Sequence, residues 1–275
     1  MERTLAPPER RAARVSGVER LGAYHLIAAE DATGPEPQPG QFYMLSSERG
    51  WGGREGERPY LPRAFSYARA RASDGGVALD FLLEIVGPGT DCLSTLAPGE
   101  HLALVGPLGL GFDLDARAGR PLLVGGGIGV APLLCLEGQL EGRGEETRVL
   151  LGFRTAGHAQ SAALFTGEPA VVTDDGSVGR QALVTELLRD ELDAGPEARV
   201  YACGPPPMLE AVRALCAERE TPAQLALESG MACGFGACFG CVVPTRDGYL
   251  RLCVDGPVLD ADRLESALFH GPGLP

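Results

Sequence analysis

The chain has 275 residues, 44% of them hydrophobic and 22% charged, the composition of an ordinary folded protein with room for two conventional domains and a small appendage. Its formal net charge is −13 and every one of its 24 basic residues is arginine, an acidic balance that argues against nucleic acid as a partner. The longest apolar run, residues 121–136, is broken by Gly125, Gly126, Gly127, Gly129 and Pro132, and residues 1–14 are charged, so a soluble cytoplasmic protein with no membrane partner is expected.

From about Arg14 to Gly111, short β-like segments are punctuated by Gly and Pro; residues 40–46, 63–68, 77–86 and 101–105 are examples. Strands at this spacing predict a small β-barrel, placed at residues 10–115. Leu79, Phe81 and Leu83 alternate with Ala78, Asp80 and Leu82, an imperfect period of two. Residues 47–57, with Arg54 and Gly50, Gly52, Gly53 and Gly56, read as a surface insertion. In Arg63-Ala64-Phe65-Ser66, the Arg and Ser side chains can both reach a phosphate while Phe65 turns to the opposite face. A surface arginine beside a core phenylalanine is the other account of the same residues.

Residues 118–222 change to strand–helix alternation, which predicts a parallel α/β sheet. Strands are expected at 121–124, 148–152, 170–173 and 199–202, and helices at 133–140 and 181–192. The second helix would turn Leu183, Leu187 and Leu188 to one side. Pro206 and Pro207 open a further helix, with Leu209, Val212, Leu215 and Cys216 at helical spacing. Between the first strand and helix, Gly125, Gly126, Gly127 and Gly129 let the backbone pass close to a pyrophosphate at the positive helix end. The run is not a regular G-x-G-x-x-G, so a plain glycine turn stays open.

Residues 223–275 form a third, small module around Cys233, Cys238, Cys241 and Cys253. Their spacing, C-x4-C-x2-C-x11-C, matches the plant-type arrangement that holds a [2Fe–2S] cluster through four thiolates. Gly234, Gly236 and Gly240 leave room for the tight curvature such a loop needs. A structural zinc site would show two separated C-x2-C pairs, and only Cys238 and Cys241 have that spacing. A disulfide framework belongs to smaller secreted domains. Cys92, Cys135 and Cys216 read as small buried hydrophobes.

A barrel carrying R-A-F-S, followed by an α/β unit carrying G-G-G-I-G-V-A-P and C-G-P-P-P-M-L, resembles the ferredoxin-reductase superfamily. The segment A-L-E-S-G-M-A-C-G-F-G-A-C-F-G-C-V-V, with L-C-V-D-G-P-V-L after it, is similar to the electron-transfer subunits of B-type, NAD-dependent dihydroorotate dehydrogenases. That resemblance spans about residues 14–264. It implies FAD on the barrel, NAD(H) on the α/β unit and a [2Fe–2S] cluster on the four cysteines. Arg63, Ala64, Phe65 and Ser66 match the flavin motif R-P-[FI]-S, with Ala64 in place of the usual proline. Leu82, Leu83 and Glu84 fall where the family makes a second flavin contact, and Gly89 and Thr90 match its G-x-G-T phosphate turn. Cys203, Gly204 and Pro205 match the motif beside the nicotinamide. In T-D-D-G-S, residues 173–177, two carboxylates would repel a 2′-phosphate and favour NAD over NADP, a solvated loop being the competing account.

The resemblance further implies an FMN-containing catalytic partner that oxidises dihydroorotate, assembled with this chain as a heterotetramer in pyrimidine biosynthesis. Electrons would pass from that FMN through the cluster and FAD to NAD+, and no acid–base or nucleophilic residue is expected in this chain. The alternative within the superfamily is a subunit of an electron-bifurcating NADH–ferredoxin oxidoreductase, a hydrogenase or a sulfite reductase. Cys233 stands where the ferredoxin-bifurcating relatives carry Asp, which favours the first reading. Outside the superfamily, a zinc-bound, non-enzymatic interaction module is the alternative.

Overall fold

Strict alternation shapes the first strand, where Arg11, Ala13 and Val15 are buried while Ala12, Arg14 and Ser16 face out. The computed structural model describes residues 9–52, 59–74, 76–115, 119–195 and 197–268; residues 53–57 of the expected insertion lie outside them. Strands β1 (Arg11–Leu21), β2 (Tyr24–Asp31), β3 (Phe42–Ser47), β4 (Arg63–Ser66), β5 (Arg69–Ser73), β6 (Gly76–Glu84) and β7 (His101–Leu108) pair antiparallel, with helix α1 (Pro88–Ser94) before β7. Their order in the sheet is β4-β3-β7-β1-β2-β6-β5. Leu79, Phe81 and Leu83 of β6 enter one core with Val15, Ile27, Tyr43 and Leu104. Leu82 is equally buried but packs with Tyr24 and residues of the α/β unit, which explains the imperfect alternation: β6 is covered on both faces near its end.

Inside the barrel an ion pair ties β1 to β2. Arg11 Nη2 donates to Asp31 Oδ2 at 2.7 Å and to the Gly106 carbonyl at 2.6 Å, and the two side chains are 4% and 1% exposed. Removing one partner of such a pair leaves an uncompensated buried charge. Asp31→Ala is therefore expected to lower the unfolding free energy by about 3–5 kcal/mol, measured by chemical denaturation; a loss below about 1 kcal/mol would contradict the assignment.

The second sheet is built from β8 (Arg120–Gly126), β9 (Arg148–Phe153), β10 (Ala170–Thr173), β11 (Arg180–Gln181), β12 (Ala198–Cys203) and β13 (Ala223–Ala226), all parallel. Helices α2 (Val130–Gly142), α3 (Ala156–Ala159), α4 (Val184–Ala194) and α5 (Pro206–Glu218) connect these strands. Apolar residues line both faces, as a sheet sandwiched by helices requires: Leu122 and Val124 pack with Leu188, Leu209 and Val212, and Leu123 with Leu133, Leu136 and Leu140. In α4 the buried positions are Val184 and Leu188, whereas Leu183 precedes the helix and is 62% exposed, a correction to the expected apolar side.

The C-terminal segment is woven into this sheet. After the hairpin β14 (Val242–Thr245) and β15 (Gly248–Arg251) comes α6 (Leu252–Asp255), and β16 (Val258–Asp260) then pairs antiparallel with β13. The order β11-β10-β9-β8-β12-β13-β16 means that the chain runs outward from β8 in one direction and from β12 in the other. The crevice beyond the C-terminal ends of β8 and β12 is such a switch point, where open α/β sheets bind ligands. Both the glycine turn and Cys203-Gly204-Pro205 lie there. Among the described residues, no helix is long and apolar enough to cross a membrane.

Candidate functional site

The four cysteines gather as two pairs. The backbone N–H of Cys238 donates to Cys233 Sγ at 3.4 Å, and that of Cys253 to Cys241 Sγ at 3.4 Å. Gly240 N–H donates to Cys238 Sγ at 3.4 Å. Burial works against the Cys233 thiolate, but the N–H groups of Cys238, Phe235 and Ala237 outweigh it and bring its pKa down to about 6. Cys253 is pushed up to about 12, first by burial and then by the Cys241 thiol and the charges of Cys241 and Cys233. Cys233 is thus favoured as a thiolate while buried Cys253 is not, and a metal's positive charge among the sulfurs would favour the thiolate of Cys253 as well.

An all-sulfur donor set suits soft metals and iron–sulfur clusters, and two pairs fit two irons. Among the described residues, no three His, Cys, Asp or Glu side chains are grouped as around a single metal ion. Two glycines make the loop possible. Gly234 and Gly236 have φ of +81° and +90°, and a Cβ would lie 2.4 Å from Met44 Cγ at the first and 2.7 Å from Val254 Cγ2 at the second. Gly240 is not in the left-handed region; Phe239 takes it instead, with φ +59°. Arg251, not singled out from sequence, braces the loop by stacking 5.2 Å over the Phe239 ring and donating to the Gly236 carbonyl at 3.1 Å.

A cavity of about 240 Å³ lies beside this loop, lined by Ala64, Phe65, Ser66, Leu82, Gly129, Cys203, Glu228, Ser229 and Met231, among others. Arg63 stands just outside it, 5.7 Å from the Trp51 ring, and a Cβ on Gly89 would lie 3.0 Å from its Nε. The arginine and the G-x-G-T turn are thus neighbours, although β4 and α1 are separate elements. The Thr90 hydroxyl accepts from Val86 and Gly87 N–H groups at 2.9 and 3.2 Å and donates to the Gly87 carbonyl, so it holds the turn. The Leu82-Leu83-Glu84 motif divides by alternation. Leu82 faces this cavity, Leu83 points into the barrel core, and Glu84 lines a second cavity. The hydroxyl of Ser229 is buried without a partner, a place for a ligand's polar edge.

The second cavity, about 730 Å³, occupies the switch-point crevice. Gly126, Gly127, Gly129, Gly204 and Pro205 line it, whereas Gly125 packs inward, where a Cβ would lie 2.9 Å from Leu151 Cδ2. At Gly129 a Cβ would stand 2.5 Å from the Cys203 carbonyl oxygen, so close packing also demands glycine there. Asp174 faces the cavity, while Asp175 accepts from the Ser177 hydroxyl and N–H, which hold its carboxyl below the usual range. Of the two carboxylates of T-D-D-G-S, Asp174 alone lines the cavity. Cys92, expected among apolar neighbours, instead donates to the Arg49 carbonyl at 3.2 Å and lies 3.4 Å from the Ser47 hydroxyl.

Glu228 lines both cavities and escaped the sequence reading, although it sits in the A-L-E-S segment just before the cysteines. It opens to solvent through the cavities yet is walled by protein elsewhere, and this desolvation raises its carboxyl above the usual range. The Cys203 thiol is raised well above its ordinary value by burial and then by the Glu228 charge. Between the unfolded and the raised folded pKa of Glu228, the folded state holds a proton that the unfolded state has lost, so stability falls as pH rises through that window. Glu228→Gln should accordingly raise the melting temperature at neutral pH and make no difference below the unfolded carboxyl pKa; an equal shift at both pH values would contradict the cause.

By architecture the molecule has a ferredoxin-reductase-like fold. The solved structure of an NADH-dependent reduced ferredoxin-NADP oxidoreductase superposes with TM-score 0.76 at 23% identity, over 92% of this chain and 90% of that one. Phthalate dioxygenase reductase gives 0.59 at 16%, over 94% and 96%. Residues 228–265 match the family model of the iron-sulfur cluster binding domain of dihydroorotate dehydrogenase B. The dihydroorotate dehydrogenase B (NAD(+)) electron transfer subunit of Caldanaerobacter subterraneus subsp. tengcongensis is 33% identical over 92% of this chain and 97% of its own length. That of Geobacillus thermodenitrificans is 39% identical, over 86% and 91%. The chain belongs to the family of dihydroorotate dehydrogenase B electron transfer subunits.

Proposed function

We propose that this chain takes electrons from a dihydroorotate-oxidising catalytic subunit and delivers them to NAD+. One observation carries the reading. Ser229 and Met231, which lead directly to Cys233, line the same cavity as the R-A-F-S strand, and that cavity shares Gly129 and Glu228 with the larger crevice. The three expected sites are therefore contiguous.

The residues divide the work. Cys233, Cys238, Cys241 and Cys253 would hold the [2Fe–2S] cluster; Arg63 and the Gly89–Thr90 turn would hold the FAD phosphates, and Ala64, Phe65, Ser66 and Leu82 its ring. Gly126, Gly127, Gly129, Gly204 and Pro205 would receive NAD(H), with Glu228 where the two cavities meet and Cys203 on the smaller one. When bound, a flavin exchanges electrons singly or in pairs, which links a one-electron cluster to a two-electron nicotinamide. The protein's part is alignment. Phe42, Leu82, Ile128 and Leu227 exclude water around the smaller cavity, and the loop N–H groups hold negative charge on the sulfurs.

The FMN of the partner, the heterotetrameric assembly and the cytoplasmic setting belong to this reading. Exposed Cys238, with Phe235 and Phe239 beside it at 60% and 63% exposure, supports a partner seated over the cluster loop. The test is an assay of the isolated chain against its complex with the partner. Alone, it should reduce a dye with NADH and form no orotate; with the partner, dihydroorotate should drive NAD+ reduction. Orotate formation by the isolated chain would overturn the division of labour.

A further inference from the structure

Tyr24, Glu84, Arg154 and His158 meet on one wall of the larger cavity, and none of them belongs to a glycine turn or to the C-G-P motif. Glu84 comes from the end of β6 and Tyr24 from the start of β2, both in the barrel; Arg154 and His158 come from the segment after β9. Arg154 Nη2 donates to Glu84 Oε1 at 2.5 Å and lies 2.9 Å from His158 Nε2, which is itself 3.3 Å from Glu84 Oε1. His158 Nδ1 is 2.9 Å from the Thr155 hydroxyl, so the imidazole is held from both sides. Its ring meets the Tyr24 ring edge-on, with centroids 5.6 Å apart.

Two features of this wall single out the groups that a dinucleotide's pyrophosphate would meet in this cavity. Charge is the first: among the described residues lining the cavity, Glu84, Asp174 and Glu228 supply three carboxylates and Arg154 the one guanidinium. A dinucleotide's pyrophosphate placed there has a single strong cationic partner among the described lining residues, and that partner is paired with Glu84. The Arg154 side chain is nevertheless 64% exposed, free to turn from one anion to another. The Tyr24 hydroxyl is the second feature. Tyr24 is fully buried, its oxygen has no hydrogen-bond partner, and a Cβ at Gly127 of the glycine turn would lie 4.0 Å from it. A buried hydroxyl without a partner costs free energy that a ligand oxygen would recover. It therefore faces the loop where the pyrophosphate is expected.

We infer that Arg154 is the pyrophosphate-binding cation of this cavity, assisted by the Tyr24 hydroxyl, and that Glu84 holds Arg154 as an internal competitor until a dinucleotide displaces it. The inference rests on the reading that this cavity takes NAD(H), and assigns Glu84 to nucleotide binding in place of flavin binding. A guanidinium shared between a carboxylate and a diphosphate makes affinity the difference of two ion pairs. Removing the guanidinium weakens binding, and removing the competing carboxylate strengthens it.

The experiment titrates the flavin-loaded full chain with ADP-ribose, which carries the diphosphate, and with adenosine, which does not. Arg154→Ala should weaken ADP-ribose binding about tenfold to a hundredfold and leave adenosine binding unchanged. Glu84→Gln, which retains the arginine, should tighten ADP-ribose binding severalfold, again without effect on adenosine. Flavin absorbance confirms that each variant is folded and loaded; if Arg154→Ala does not load, the opposite-signed change in Glu84→Gln decides alone. Unchanged or weakened ADP-ribose binding in Glu84→Gln, or unchanged binding in Arg154→Ala, overturns the inference while leaving the NAD(H) reading intact. Failure of the unsubstituted chain to bind ADP-ribose or NADH overturns both.

Discussion

Cys241→Ser is expected to abolish electron exchange with the catalytic partner, lowering dihydroorotate-driven NAD+ reduction by more than about a hundredfold. NADH-dependent dye reduction by the same variant should stay within about threefold of the unsubstituted chain, because that route needs only the two cavities. Cys241 is the informative position because it is 2% exposed and paired with buried Cys253, so neither water nor an added thiol readily replaces it. A serine hydroxyl is a hard, weakly acidic donor where a soft thiolate is required. Iron and acid-labile sulfide should fall together, while the fold, anchored elsewhere by Val243, Leu252 and Leu259 in the core, persists. Retained iron with full activity would remove Cys241 from the ligand set.

Arg63→Ala should strip the flavin. A charge-assisted contact to phosphate contributes about 1.5–3 kcal/mol, so the dissociation constant should rise roughly tenfold to a hundredfold and free flavin should appear on dilution. The substitution spares the fold, since the guanidinium is half-buried, stacks on Trp51 at 5.7 Å and donates to the exposed Leu61 carbonyl at 2.6 Å. Contacts of that kind are worth about 0.5–1 kcal/mol each. Fluorescence of released flavin against unchanged chemical stability separates the two effects. Full flavin retention would show that Gly89 and Arg63 adjoin for another reason.

The proposed cluster ligands were legible as a group because three of the four cysteines lie within nine positions, and that spacing implies convergence. Arg63-Ala64-Phe65-Ser66 and the glycine turn were legible as chain order, a barrel motif preceding a strand–turn–helix. What stayed hidden depends on the packing of one unit against the other. Tyr24, Arg154 and His158 are scattered over more than a hundred positions and nothing in their local pattern marks a pocket wall, while Glu84 was singled out only as a flavin contact. Glu228 escaped the sequence reading because its place between the two cavities is set by the packing of the two units around it.

Smaller differences have local causes. Helical period places Leu183 with Leu187 and Leu188, but its N–H is taken by the Glu186 carboxylate at 2.9 Å, so the helix begins one residue later and Leu183 swings out. Composition marks Gly240 as a turn residue, yet the reversal falls on Phe239, where Arg251 stacks on the ring and steadies the rarer conformation. The C-terminal segment reads as a separate module because its cysteines dominate it. Its flanks, β13 and β16, nevertheless finish the second sheet, and Leu110 N–H donates to the Gly256 carbonyl at 2.5 Å, tying the cluster segment to the barrel's end as well.

The central claim, that one chain relays electrons between NADH and an iron–sulfur cluster through a flavin, is tested most directly by electron paramagnetic resonance of the purified full chain reduced anaerobically with NADH. A reduced-cluster signal should appear in unsubstituted protein containing about two iron atoms per flavin, and should vanish in Cys241→Ser although the flavin still bleaches. Bleached flavin with no cluster signal in the unsubstituted, iron-loaded chain would contradict the relay.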